Sequence, residues 1–203
     1  MSAQTSTRDR ILEVALDRFL THGHEQVSMR QVAAEVGVTP MAIYRHFGNK
    51  EELQLALLQA GYQIFGAYLD RGRVGTTARA RLELLAQGFF DFAIEKSSYF
   101  EMIFLSGRTM PGLRNRDSVQ TVLRPTYRRL HDCLADCLAE GDFPPQDARV
   151  LSNRVLAVCV GNAALYISGS MPWSAAEARI ACMEAFADYT ALLRRPGPAE
   201  LLV

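Results

Sequence analysis

The chain has no excess charge of either sign: 22 lysines and arginines stand against 22 aspartates and glutamates in 203 residues. That excludes binding to nucleic acid through bulk positive charge. No apolar run approaches the ~18 residues needed to cross a bilayer, and the opening MSAQTSTRDR lacks the apolar core of a signal peptide. A soluble, cytoplasmic protein with no membrane partner is expected. The cysteines Cys133, Cys137, Cys159 and Cys182 are scattered through the second half without the dense spacing of a secreted disulfide framework. Reduced thiols in helices are the expected state. Cys133 and Cys137 share a helix face one turn apart, but residues two apart on a helix point in different directions, which keeps nearby His131 from joining them. Metal-ligand spacing, a phosphate-cradling glycine loop and a nucleophile elbow are also missing. The chain is therefore expected to be no enzyme and to need no metal and no cofactor. It has no internal repeat, no low-complexity segment and no convincing strand.

What is present is helix punctuation, most densely in VSMRQVAAEVGVTPMAIYRHFGNKEEL, residues 27–53. Ser28 followed by Gln31 is a capping box. The helix it opens runs to about Val36. Gly37 then stands where a left-handed residue ends a helix at little cost to glycine. Thr39 can cap the next helix, with Pro40 at its first position, where a missing N–H costs nothing. Val32, Ala33 and Val36 before the turn, with Val38, Ile43 and Phe47 after it, lock the pair at a steep angle; Ala33 and Ala34 are small enough for close approach.

On the second helix, steps of about 100° per residue put Ile43 and Phe47 inward and Met41 and Arg45 outward, flanked by Ala42, Tyr44 and His46. A short polar and aromatic face of this kind fits a major groove, where arginine bonds guanine edges and small apolar groups touch the thymine methyl. His46 would cap or pack locally as readily as it would reach a phosphate. Asn49 with Glu52 starts a further helix, with Lys50 in its first turn, where a phosphate is also attracted by the helix N-terminus. The candidate DNA-facing set is Ser28, Arg30, Thr39, Pro40, Met41, Ala42, Tyr44, Arg45, His46 and Lys50. Charge lends this set little support, since the first fifty residues hold six basic and five acidic side chains. Arg8 and Arg10, placed just ahead of the first helix, read as a solvated tail in preference to phosphate or minor-groove contacts.

The run GVTPMAIYRHFGNKEEL resembles the second half of the helix-turn-helix in TetR-type transcriptional regulators. Gly37, Val38, Ile43, Tyr44, His46, Phe47, Asn49, Lys50, Glu51 and Leu53 stand in register with that family's pattern. The likeness extends upstream through Ile11, Ala15, Phe19, Gly23, Val27, Val32 and Ala33. It implies phosphate contacts for Tyr44 and Lys50 and a cavity for an inducer in the following domain.

The rest of the chain reads as helices: 7–22 ahead of the motif, 50–69 as a connecting rod, 78–96, a short one through 105, 118–140 with Pro125 kinking or delaying its start, 146–167, and 174–194 opened by the capping box of Ser174 and Glu177. With the motif's pair this makes nine helices and an all-α fold. Residues 107–117 read as a loop, and Pro196 and Pro198 bar a helix in the tail. The expected division is 1–53 DNA-binding head, 54–75 connecting helix and break, and 76–203 effector-binding and dimerisation domain. The last two helices are apolar on more than one face. Leu156, Val160, Gly161, Ala164, Ile180, Met183, Phe186 and Ala187 are expected to pair two copies through a four-helix bundle, giving a homodimer that reads a palindromic operator. Phe89, Phe92, Phe100, Met102, Phe104, Tyr127, Leu130, Leu134, Asn162 and Tyr166 are the candidate lining for a small apolar or aromatic effector, though each also suits an ordinary core. Function is thus expected to be ligand-responsive repression on double-stranded DNA. The alternative is a DNA- or protein-binding adaptor of the same fold with no effector.

Overall fold

In the computed structural model, which describes residues 6–23, 26–106 and 116–194, all regular structure is helical among the described residues. The helices are α1 Thr7–His22, α2 Met29–Val36, α3 Pro40–His46, α4 Lys50–Leu69, α5 Ala78–Glu95, α6 Ser97–Phe100, α7 Arg116–Ala139, α8 Ala148–Ile167 and α9 Ala175–Leu193. A 3₁₀ segment, Asp70–Val74, follows α4, and a π turn, Glu101–Leu105, follows α6. The all-α expectation and the count of nine hold for the described residues.

The helices begin where capping chemistry puts them. Ser6 accepts the Asp9 N–H, Thr77 that of Ala80, and Ser174 that of Glu177, which reaches back in a capping box. Asp147 accepts from the N–H groups of both Arg149 and Val150, so α8 starts two residues later than periodicity suggests. Pro125 lies inside α7 and does not delay its start. Arg8 and Arg10 belong to α1 itself, not to a tail ahead of it. Most of the loop expected at 107–117, and nearly all of the tail, lie outside the described residues.

The chain forms two compact units, Met1–Gln63 with Ser98–Val122 and Ile64–Ser97 with Leu123–Val203. Residues 98–106, sequence neighbours of α5, thus group with the N-terminal helices. In the first unit Ile11, Leu12, Ala15, Leu16 and Phe19 of α1 share a buried core with Val32, Ala33, Val36, Ile43, Phe47, Leu53 and Leu57. Ala34, expected at the close approach of α2 and α3, is exposed, leaving Ala33 alone in that role.

The second unit is built on α5, whose Leu82, Leu85, Phe89, Phe90 and Phe92 are all buried. Phe65 meets Phe89 edge-on at 5.6 Å and Phe92 at 4.8 Å. Gly88 lets α5 pass close to α4, since a Cβ there would run into the Tyr68 carbonyl. α8 and α9 each bury a single stripe of residues spaced four apart, Leu151, Val155, Cys159 and Ala163 on α8 and Ala178, Cys182, Phe186 and Thr190 on α9. The expectation that no apolar segment reaches membrane-spanning length needs amending here. By length and composition α8 passes that test, at mean hydropathy 1.5, and 22% of its most apolar window is buried.

Candidate nucleic-acid interface

The geometry of the first unit is set by how α2 ends and α3 begins. At the start of α2, Ser28 donates its N–H to Gln31 Oε1 at 2.8 Å and accepts the Gln31 N–H. Gly37 then takes φ 78° and ψ 33°, a left-handed conformation. Its N–H meets the Ala34 carbonyl and that of Val38 the Ala33 carbonyl at 2.9 Å, so the last turn of α2 is closed by backbone bonds. Thr39 Oγ1 accepts the Ala42 N–H, and Pro40 opens α3 without an orphan donor. Asn49 Oδ1 accepts the Glu52 N–H at 2.9 Å while Glu52 reaches back to the Gly48 N–H, which starts α4. Helix α3 is therefore fixed at both ends by bonds its own sequence supplies.

Burial of Ile43 (0% exposed) and Phe47 (3%) fixes how α3 is rotated. Each contributes about 1.5 to 3 kcal/mol of transfer free energy, which sets the inward face. Outward stand Met41 at 68% and Tyr44 at 45% exposure, with Arg45 and His46 also exposed and Ala42 half-buried. Thr39, Pro40, Ser28 and Arg30 are exposed as well. Seven residues make a rod of about 10 Å, short enough to enter a major groove about 12 Å wide.

The arginines divide into two groups. Arg10 donates to the Val36 carbonyl at 3.0 Å, Arg18 pairs with Glu35, and the Arg8 guanidinium lies over the Phe47 ring at 5.2 Å. These three make contacts within the unit, Arg8 and Arg10 from exposed positions on α1, contrary to the free tail expected for those two. Arg30 and Arg45 are exposed and make no ion pair among the described residues. The ammonium of Lys50 stands 5.9 Å from the Phe19 ring centroid, with its stem half-buried at the start of α4.

The second unit holds an apolar cavity of about 30 Å³, room for about one water. Phe89, Tyr127 and Leu130 of the expected lining are on its wall, joined by residues outside that expected set, among them Phe65, Leu69, Val155 and Phe186. Phe92 and Leu134 are wholly buried and do not line it. Asn162 turns its amide onto the Val158 carbonyl of its own helix, and neither it nor Tyr166 is on the wall. Phe100, Met102 and Phe104 belong to the first unit.

Of the candidate association residues, Ile180 is 60% exposed, Gly161 and Ala187 are exposed, and Leu156, Val160, Ala164 and Met183 are half-buried. A Cβ on Gly161 would meet nothing. Phe186 must be removed from this set. It sits on the buried stripe of α9 at 2% exposure, four residues from Cys182 and Thr190, and faces its own core.

Sequence reasoning missed a charged knot in the second unit. Asp91, 7% exposed, receives Arg71 at 2.7 Å and Arg179 on its other oxygen; Arg179 also reaches Glu95, which takes the Tyr68 hydroxyl at 2.8 Å. The bond to Asp91 raises the Arg179 pKa above its ordinary value, while burial and the Glu95 bond raise that of Tyr68. An acid inside the apolar run Phe89-Phe90-Asp91-Phe92 was the available signal, because a buried carboxylate needs partners.

These features agree with comparisons to known proteins. Residues 11–57 match the domain described as bacterial regulatory proteins, tetR family, and residues 82–189 match the tetracyclin repressor-like C-terminal domain. The HTH-type transcriptional activator FasR of Mycolicibacterium smegmatis is 26% identical over 167 residues, 81% of this chain and 74% of FasR. The fatty acid degradation regulator FadR of Bacillus halodurans shares the fold with a TM-score of 0.80, at 18% identity, over 96% of this chain and all of that one. FadR of Bacillus subtilis, solved in complex with stearoyl-CoA, has a TM-score of 0.70 at 17% identity over 87% of this chain and 96% of its own. With both family domains matched along its length, the chain belongs to the TetR family of DNA-binding transcriptional regulators and is not an enzyme.

Proposed function

We propose that this regulator is a ligand-responsive repressor that binds a palindromic operator as a homodimer in the cytoplasm. The observation that carries the DNA-binding part is the outer face of α3, where Met41, Tyr44 and Arg45 project from a helix fixed at both ends and anchored by Ile43 and Phe47. Arg45 reads a base edge, with Met41 and Ala42 touching thymine methyls. Tyr44, His46, Lys50, Ser28, Arg30, Thr39 and the adjoining Pro40 face the phosphate backbone and set the register. Dimerisation rests on α8 and α9, each of which buries one stripe and leaves Leu165, Ile180 and Leu192 uncovered. An apolar face of that extent is typical of a self-association surface. Functionally the division stays at 1–53 for the head, 54–75 for the connecting helix and 76–203 for the effector and dimer domain.

The effector is apolar or aromatic, because the cavity between α4, α5, α7, α8 and α9 is lined almost wholly by hydrocarbon. The acyl thioester bound by the Bacillus subtilis neighbour is of compatible chemistry. One observation favours the second function, an adaptor without effector: about 30 Å³ is roughly a tenth of the smallest ordinary ligand pocket. An effector must therefore enlarge the cavity, and its binding energy must exceed that cost before it shifts operator affinity by ~1 to 3 kcal/mol.

Selection of random duplex DNA on the purified protein, at stated salt and with oligomeric state measured alongside, tests the proposal. Recovery of a palindrome with half-sites about one turn apart is expected. A folded dimer that enriches no sequence would overturn operator reading. With the operator in hand, a screen of acyl and aromatic compounds for operator release separates repressor from adaptor, and a reporter assay fixes the sign of regulation.

A further inference from the structure

A cleft of about 220 Å³ opens in the second unit, distinct in its lining chemistry from the apolar cavity. Two ion pairs border it, Arg129 with Asp70 at 3.1 Å and Arg81 with Asp136 at 2.9 Å. Cys133 is on its wall. Its thiol donates to the Ala78 carbonyl at 3.7 Å, and Cys137, one turn along α7, is fully buried. The cleft therefore combines water access, guanidinium charge and one thiol, Cys133, with a second, Cys137, one helical turn along and outside its wall.

The two sulfurs are not equivalent. The Cys133 thiol is held below its ordinary pKa, first by its neighbour Cys137 and further by the charge of Arg81, whereas Cys133 and burial push Cys137 well up. Cys159 and Cys182 are pushed up by burial to about 12 and about 11. Since the thiolate is the nucleophile, only Cys133 joins ionisation to access.

We propose that Cys133 is a site of oxidation by small hydroperoxides entering this cleft, and that Cys137 resolves the product into a disulfide. The Cys133 thiolate attacks the outer peroxide oxygen, the O–O bond breaks, and the alkoxide leaves and is protonated to an alcohol. Sulfur is thereby oxidised to sulfenic acid. Cys137 then gives up its proton and attacks Cys133 Sγ; the S–S bond forms, the S–O bond breaks, and the hydroxyl leaves with that proton as water. Two thiols lose two electrons and one hydroperoxide is reduced to alcohol and water. Helix geometry puts the two Cα atoms about 6 Å apart, within disulfide reach, but the Cβ atoms at about 5 to 6 Å must close to about 4 Å. Oxidation therefore deforms α7 around Asp136, the partner of Arg81, and the strained bond is readily reduced again.

The test uses the full chain, reduced, desalted and exposed to hydrogen peroxide, with tryptic mass mapping. Both thiols fall in one peptide, Leu130–Arg149. That peptide is expected to become lighter by two hydrogens and resistant to alkylation, and to revert with dithiothreitol. Cys137→Ser should accumulate a dimedone adduct at Cys133 that wild type does not, and Cys133→Ser should slow the first oxidation at least about tenfold. Cys133→Ala replaces that variant if the serine unfolds the chain, and mapping of the wild type needs no variant. Earlier oxidation at Cys159 or Cys182, no peroxide-dependent change in the peptide, or equal dimedone labelling with and without Cys137 would overturn the proposal.

Discussion

Arg179 on α9 bonds one carboxylate oxygen of Asp91 on α5, and Arg71 takes the other, so an acid whose side chain is 10% exposed is held from two elements at once. Asp91→Ala is expected to cost about 3 kcal/mol, the low end for breaking a buried pair, because both arginines keep access to water. Arg71→Ala should cost less than about 1 kcal/mol, since that guanidinium is 52% exposed. Urea unfolding of the variants decides this. Equal losses for Asp91→Ala and Arg71→Ala would mean that burial of the carboxylate is not what matters.

For the DNA face, Arg45→Ala should abolish discrimination among operator variants while leaving fold and oligomeric state unchanged. Lys50→Ala should weaken binding to all sequences alike and lower the slope of log affinity against log salt by about 1, as loss of one phosphate contact requires. Arg10→Ala, by contrast, should act on stability and not on the salt slope, because Arg10 bonds the Val36 carbonyl. A salt slope that falls with Arg10→Ala and not with Lys50→Ala would reverse these assignments.

Much of the first unit was legible because its determinants are local. Ser28 to Gln31, Gly37, Thr39, Pro40 and Asn49 to Glu52 act over three or four residues, and their bonds form as spacing predicts. The second unit was less legible because its determinants are distant in sequence. Phe186 and Ile180 are both apolar and lie about 120° apart around α9, yet which one faces the core depends on α5 and α8, roughly 20 to 100 residues earlier in the chain. The grouping of Phe100 and Met102 with the N-terminal helices is likewise a long-range outcome that periodicity cannot carry. The change from α-helix to π turn after Phe100 has no sequence signal that we can name.

Gln54 on α4 is fully buried, and its side-chain oxygen and nitrogen have no hydrogen-bond partner among the described residues. An unsatisfied buried amide costs free energy, so replacement by an apolar side chain of similar volume should help. Gln54→Met is expected to raise the unfolding free energy by about 1 kcal/mol or more. A loss of stability would indicate that the amide has a partner, water included.

Asp147 and Glu177 cap α8 and α9, and backbone N–H groups hold both carboxylates below their ordinary pKa. A folded-state pKa lower than the unfolded one gives stability that is present above the ordinary carboxylate range and lost as pH falls through it. Stability should therefore decline below the ordinary Glu value of 4.5. Asp147→Asn retains a capping oxygen, so it should keep most stability at neutral pH while flattening the acid limb of the curve. An acid limb unchanged in the double variant Asp147→Asn, Glu177→Gln would rule these caps out as its source.

Ile180 and Phe186 separate association from folding on one helix. Ile180 is 60% exposed on α9, so Ile180→Asp places a charge on the uncovered face without touching the core. If that face joins two copies, a buried unpaired carboxylate per subunit disfavours assembly, and sedimentation should show monomers with unchanged helical content. Operator affinity should then fall steeply, because each head retains only its own half-site. Phe186→Ala should do the opposite, costing about 3 to 5 kcal/mol of folding stability through the void it leaves, with association lost only as the chain unfolds. Monomers from Phe186→Ala at full helicity, alongside a dimeric Ile180→Asp, would move the interface to another face.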